Sequence, residues 1–366
     1  MASQSMPTLY STLHGVLMQR IPDECETRLS NLLWLMMGIF LSSSVQLNLI
    51  ARKLPLKAKK LSVVHRLRRF LGNGAVQVRE WYAPTALALV QAAASAGHVN
   101  LVIDSSKVSG NHRLVMVSIA YQRRSLPLAW VWQRGARGHC TTKLQIKLLG
   151  YVQGLIPSGI KVSLVGDCEF GNPLLLEYLD FWEWDYALRQ PGDHLMMPKG
   201  EGQWTRLDAV ALVPGDIKWL GRVVLTRASA YPTNVVLYWK RGEKEPWFLA
   251  TSCLIPHRTI ALYRRRMWIE EMFGDLKKHG FNLEASHLRH FLRLSRLTLA
   301  VCLLYVWLIA LGSWLRSHGL TALVDRADRR DLSLFRLGWD FLERCLALSD
   351  PLPPVFIPNF CSVYGG

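Results

Sequence analysis

The spacing of apolar residues changes several times along the chain, and each change predicts a different kind of element. Up to about residue 95 the apolar positions fall in helical runs, among them NLLWLMMGIFL at 31–41 and APTALALVQAAASAG at 83–97. From residue 99 the pattern is that of β-structure. VNLVIDSS is a continuous apolar run, as in a strand buried on both faces, and it runs into Asp104. RLVMVSIAY and LPLAWVWQRG, separated by the polar QRRS, read as two antiparallel partners. TTKLQIKLLGYVQGLI has helical spacing, and KVSLVGD is a second apolar strand that stops at Asp167. A short helix (NPLLLEYL) and a further strand (WEWDYALRQ) complete a β-β-β-α-β-α-β order.

Between Pro191 and about Cys253 the sequence is rich in β-formers and turn residues and reads as a β insertion into this unit. From Thr259 to about residue 318 the pattern is helical. YRRRMWIEEMFGDLKKHG, residues 263–280, reads as one helix with Gly280 as its stop. At about 100° per residue, Tyr263, Arg266, Glu270 and Lys277 then fall on one narrow stripe, apart from an apolar stripe of Leu262, Ile269, Met272, Phe273 and Leu276. The run 297–315 holds 19 residues without a charge, about the length of a bilayer span. Its basic flanks lie on both sides and it follows directly on a charged helix, so a buried core helix is the expected reading and no membrane partner is expected. The end, SDPLPPVFIPNF, predicts irregular structure.

Charge narrows the class of partner. The chain carries 44 Lys and Arg against 27 Asp and Glu, a net charge of +17, which favours a polyanion and nucleic acid above all. The excess is local: no acid occurs between Glu26 and Glu80, where Lys57, Lys59, Lys60, Arg66, Arg68 and Arg69 crowd together. A helical, basic DNA-binding domain over 1–95 is therefore expected. The seven cysteines are scattered without a CxxC pair, and the start MASQSMPTLYST has no charged-then-apolar leader. These features predict a cytoplasmic protein without structural zinc, and His139 beside Cys140 reads as structural.

Two buried strands ending in Asp104 and Asp167 would set both carboxylates at the carboxyl edge of a sheet, with Glu270 delivered by a helix beside it. Three clustered acids repel one another unless cations neutralise them, and hard divalent ions suit such oxygen ligands. Two ions in such a site could activate a water or a 3′-hydroxyl and stabilise the leaving oxygen of a phosphodiester.

The spacing Y-x(2)-R-x(3)-E-x(6)-K at Tyr263, Arg266, Glu270 and Lys277 resembles the signature of the insertion-sequence-four family of bacterial DDE transposases. IDSSKV around Asp104 and VGDCEFGNPLL around Asp167 are similar to that family's two aspartate motifs, over residues from about 99 to 315. The resemblance implies an α/β, RNase H-like mixed-sheet catalytic core with a β-rich insertion. It implies Asp104, Asp167 and Glu270 as catalytic metal ligands for Mg²⁺ in a two-metal site, with Mn²⁺ as a substitute. Tyr263, Arg266 and Lys277 would hold transposon-end phosphates. The DNA partners would be terminal inverted repeats and target DNA, engaged by a homodimer in cut-and-paste transposition; a transposase-derived DNA-binding protein without catalysis is the alternative. Trp247 matches in placement a tryptophan that related transposases stack on a flipped base, while a core role is the other reading. Relatives show Asp-Arg-Gly-Phe where this chain has Asp167, Cys168, Glu169 and Phe170. The expected divisions are an end-binding domain (1–95), a core in two parts (96–191 and 254–320) around the insertion (192–253), and a C-terminal tail with a role in dimerisation (321–366).

Overall fold

A computed structural model describes residues 2–21, 24–135, 140–198, 200, 202–326, 328–329 and 331–361. His139 lies outside them. Five helices come first: α1 (Ala2–Arg20), α2 (Glu26–Ser42), α3 (Leu47–Lys53), α4 (Lys60–Gly72) and α5 (Val78–Ser95). A meander follows, of β1 (His98–Ser109), β2 (His112–Tyr121) and β3 (Arg124–Arg134). Next come α6 (Thr142–Gln153), β4 (Lys161–Gly166), α7 (Pro173–Phe181) and β5 (Asp185–Arg189), in the order the apolar pattern predicts. The helix starts have local causes. The Thr141 hydroxyl accepts from Leu144 N, and Asn172 accepts from Leu174 N with Pro173 in the first turn of α7.

Strands β1 to β5 lie in the order β3-β2-β1-β4-β5, β1 to β3 antiparallel and β1, β4 and β5 parallel. The sheet is mixed, as expected. The stretch read as an insertion contributes β6 (Leu195–Pro198), β7 (Thr205–Arg206), β8 (Ile217–Leu225), β9 (Tyr231–Tyr238) and β10 (Trp247–Thr251). These strands extend the same sheet, because β10 pairs antiparallel with β5, and one ten-stranded sheet results.

The remaining helices are α8 (Pro256–Tyr263), α9 (Met267–Leu276), α10 (Phe291–Ser317) and α11 (Leu334–Leu348). The single helix expected over 263–280 is a correction. A 3₁₀ turn at Arg264–Arg266 joins α8 to α9, and α9 ends at Leu276, with Lys277 and Gly280 in the turn beyond. Gly280 sits in the tightest part of this turn: a Cβ there would lie 2.4 Å from Asp275 O and 2.6 Å from Phe335 Cζ. The chain turns back there against α11, and residues 277–290 form no α-helix.

Helix α10 is the apolar run that matches a membrane span in length, yet 94% of its most apolar window is buried within the protein. It packs on β3 and on α2, α4, α5 and α11. Two of its buried polar side chains are satisfied internally: the Arg296 guanidinium donates to Val76 O and Leu71 O at 3.0 Å each, and Thr298 Oγ1 accepts from Trp132 Nε1 at 3.0 Å, whereas the buried Trp307 Nε1 has no hydrogen-bond partner. The N-terminal helices thus dock on the core through α10. Helix α11 packs on α10 and α1, and the irregular tail is pinned by buried Phe356 and Phe360.

Candidate active site

Ile103 of β1 pairs with Gly166 of parallel β4, so the residues that follow, Asp104 and Asp167, stand side by side where β4 stops; β1 does not end at Asp104 as the apolar run suggested, because it runs on to Ser109 paired with β2. Both are buried. Helix α9 crosses here with Glu270 in its first turn, where its side chain is 41% exposed. The three acids meet around one guanidinium. Arg266 Nη2 lies 3.4 Å from Asp104 Oδ2 and 3.3 Å from Asp167 Oδ2, and Nη1 lies 2.5 Å from Glu270 Oε1. Ser105 N also donates to Asp104 Oδ1 at 2.7 Å.

Burial raises the Asp104 carboxyl to about 6; Arg266 and the Ser105 amide oppose this, and Asp167 and Glu270 add to it. For Arg266 burial acts to lower the pKa, but Asp104, Asp167 and Glu270 outweigh it and the guanidinium ends above its ordinary value. The site is therefore an acidic cluster, buried at Asp104 and Asp167 and open at Glu270, with the Arg266 guanidinium among all three acids.

A cavity of about 460 Å³ opens on these residues, lined also by Lys107, Arg113, Glu169 and Lys277. A larger hollow of about 720 Å³ lies on the other side of Asp167 and Glu169, towards Asn172, His194 and Thr226. It reaches only one of the three acids, so the smaller cavity is where the chemistry can occur.

Residues 97–307 match the family described as transposase DDE domain, which spans more than half of the chain. The chain belongs to the DDE transposase family. One solved structure, described as a cryo-EM structure of piggyBac transposase synaptic complex with hairpin DNA, aligns with 94% of this chain and 78% of its own at 10% identity and a TM-score of 0.43. That likeness is too loose to carry further argument. No curated protein matches the sequence.

DDE transposase domains generally work with divalent metal ions, and the donor set here is of the right kind: carboxylate oxygens from Asp104 and Asp167 within reach of a single nitrogen, and Glu270 at its neighbour. Among the described residues no three acid, His or Cys side chains form a ready-made metal cage, because Arg266 stands between these three.

The other residues singled out in this transposase are differently placed. Tyr263 closes α8 and is 3% exposed, its ring edge-on to Trp247 at 4.9 Å. Burial raises its phenol well above the ordinary value. Trp247 is half-buried between Tyr263 and Tyr238, so it packs in the protein as well as standing near the site. Lys277 is off the helical stripe but still lines the cavity, held by Lys107 O and by Glu284 at 3.4 Å. Lys57, Lys59, Lys60, Arg68 and Arg69 are exposed on and before α4. Arg66 is turned inward and donates to Asn31 Oδ1 at 2.5 Å.

Sequence reading missed a second buried layer. Glu169, from the 3₁₀ turn after Asp167, accepts from Ser105 Oγ at 2.5 Å and from Cys140 N at 3.2 Å, with Arg113 Nη2 3.7 Å away. Arg189 of β5 reaches to 4.0 Å from Asp167 Oδ1 and 3.2 Å from Glu245 Oε2. The one signal was Glu169 itself, an acid two residues after Asp167. Arg113 and Arg189 looked like ordinary strand-end charges.

Proposed function

We propose that this DDE transposase is a cut-and-paste enzyme of the insertion-sequence-four family, acting on terminal inverted repeats and joining the freed ends to target DNA. The observation that carries this reading is the meeting of Asp104, Asp167 and Glu270 around one basic residue of a Tyr-Arg-Glu-Lys spacing.

In this reading Asp104, Asp167 and Glu270 hold Mg²⁺, or Mn²⁺ in its place. The bound ions would supply an activated water or 3′-hydroxyl and stabilise the leaving oxygen of the phosphodiester. The chain's own residues do the rest. Lys107, Lys277 and Arg266 on the cavity wall draw the DNA backbone in and fix its register. The exposed Lys57, Lys59, Lys60, Arg68 and Arg69 hold the flanking duplex through its phosphates. Trp247 contributes a stacking face for an unpaired base. Two copies bring two ends together in the cytoplasm.

The test is cleavage of labelled end DNA by the purified protein in Mg²⁺, beside Asp104→Ala. Cuts at the repeat boundary made only by the parent chain are expected. Binding without cutting, in Mn²⁺ as well, would replace this reading with that of a transposase-derived DNA-binding protein.

A further inference from the structure

The most unusual feature of the cavity is the cation that its three acids share. Arg266 places one nitrogen between Asp104 and Asp167 and the next on Glu270, so its ion-pair partners are the three acids proposed to hold metal. The pairs with Asp104 and Asp167 are poorly screened: the side chains of Arg266, Asp104 and Asp167 are 13%, 11% and 9% exposed. A divalent ion added while Arg266 stays there would face a positive charge inside the same ring of oxygens.

The guanidinium has no other strong hold. Its Nε is buried without a hydrogen-bond partner, and beyond the acids its Nη1 donates to Met267 sulfur at a long 3.8 Å. Arg113, the other arginine of the cavity, also has a buried Nε without a hydrogen-bond partner, but its Nη2 is tied to Ser105 and Glu169, outside the three acids. Arg266 also belongs to the 3₁₀ turn between α8 and α9, and it lies on the wall of the cavity that DNA would enter. A phosphodiester offers the same paired oxygens as a carboxylate, in the geometry a guanidinium matches best.

We propose that Arg266 is an internal counter-ion that occupies the metal position in the free protein, and that a DNA phosphate draws it out so that metal binding is coupled to DNA binding. Arg266 is thus a positioning residue for the acids: it keeps the buried Asp104 and Asp167 and the more exposed Glu270 together before substrate arrives, then exchanges carboxylate for phosphate. Linkage makes the effect reciprocal, so metal must tighten DNA binding by the same factor. This inference rests on the reading of Asp104, Asp167 and Glu270 as the metal-holding acids.

The experiment measures free Mn²⁺ by electron paramagnetic resonance, with the full chain, with and without a short random-sequence DNA duplex. The Asp167→Asn chain with the same duplex is the blank for Mn²⁺ taken up by DNA itself. The parent chain is expected to bind Mn²⁺ weakly alone and about tenfold more tightly with the duplex, a coupling typical of linked sites. Arg266→Met is expected to bind Mn²⁺ as tightly without DNA as the parent does with it.

An Arg266→Met chain that binds Mn²⁺ no better than the parent overturns the exchange. So does a parent chain whose Mn²⁺ affinity ignores the duplex, and this arm decides the matter alone if Arg266→Met does not fold. Failure of every chain to take up Mn²⁺ above the blank would remove the metal-dependent reading as well, which separates the two failures.

Discussion

Asp104 and Asp167 are neighbours because Ile103 and Gly166 are in register across parallel strands β1 and β4. The register leaves little room. A Cβ on Gly166 would stand 3.0 Å from Ile103 Cγ2 and 3.1 Å from both Leu188 Cδ2 and Phe170 Cβ. Gly166→Ala is expected to shift the Asp167 edge by a few tenths of an ångström or more. End cleavage should fall by up to about 10²-fold, the scale on which small misplacements act, while gel-shift binding of end DNA is kept. Full cleavage would show that the neighbours yield without moving Asp167.

The buried Asp275 predicts a pH dependence. It anchors α9 from its other face, accepting from Arg124 Nε at 2.8 Å and from the Tyr305 hydroxyl at 3.3 Å. Burial raises it to about 6, against the opposing Arg124. The folded chain then holds this proton more tightly than the unfolded chain does. Its contribution is full below the unfolded value near 3.8 and is lost as pH rises through about 6. Asp275→Asn should therefore gain stability relative to the parent across that window, measured by urea unfolding in metal-free buffer. A parent-to-variant difference that does not change with pH would contradict the shift.

Glu169 and Arg113 form a buried pair, with side chains 7% and 8% exposed. Glu169→Ala leaves Arg113 charged inside the protein, and breaking such a pair costs about 3–5 kcal/mol. Glu169→Gln, which can still accept from Ser105, is expected to cost less. Urea midpoints of the two variants decide this, and equal losses would point to packing as the main role of Glu169.

Helices α10 and α11 touch through backbone at Gly312 and Gly338. A Cβ on Gly338 would meet Leu308 O at 1.9 Å, and one on Gly312 would meet Leu334 O at 2.0 Å. Neither obstacle is a flexible side-chain end, so the helices would have to part. Gly338→Ala is expected to destabilise by about 1–3 kcal/mol or more, read as a lower thermal midpoint. An unchanged midpoint would mean that α11 can slide along α10 without loss.

Much of the core was legible along the chain because it follows from local patterns. Continuous apolar runs marked β1 and β4, turn residues marked the meander, and Asp104 and Asp167 each sat at the end of a buried run. The Glu270 helix was legible as a helix but not in its extent. Spacing alone made one helix of residues 263–280, whereas contact with α11 at Gly280 and the 3₁₀ turn at Arg264–Arg266 break it. Lys277 consequently reaches the cavity from a turn and not along a helical stripe. The β-rich stretch was legible as β, yet its place at the edge of the same sheet depends on β10 pairing with β5.

By itself the sequence determined the element types of the core, the placing of two acids after buried apolar runs, the basic tract before and along α4, and the apolar character of α10. Each is written in the spacing or composition of neighbouring residues. Only the tertiary structure decided that α10 is sheathed by protein, that Glu169 and Arg113 form a buried layer under the acids, and that Arg266 lies among all three of them. These are contacts between residues far apart in the chain, set by strand register and helix packing. Local periodicity carries no record of a partner 50 or 160 residues away; compare Arg113 with Glu169, or Arg266 with Asp104, at separations of about that size.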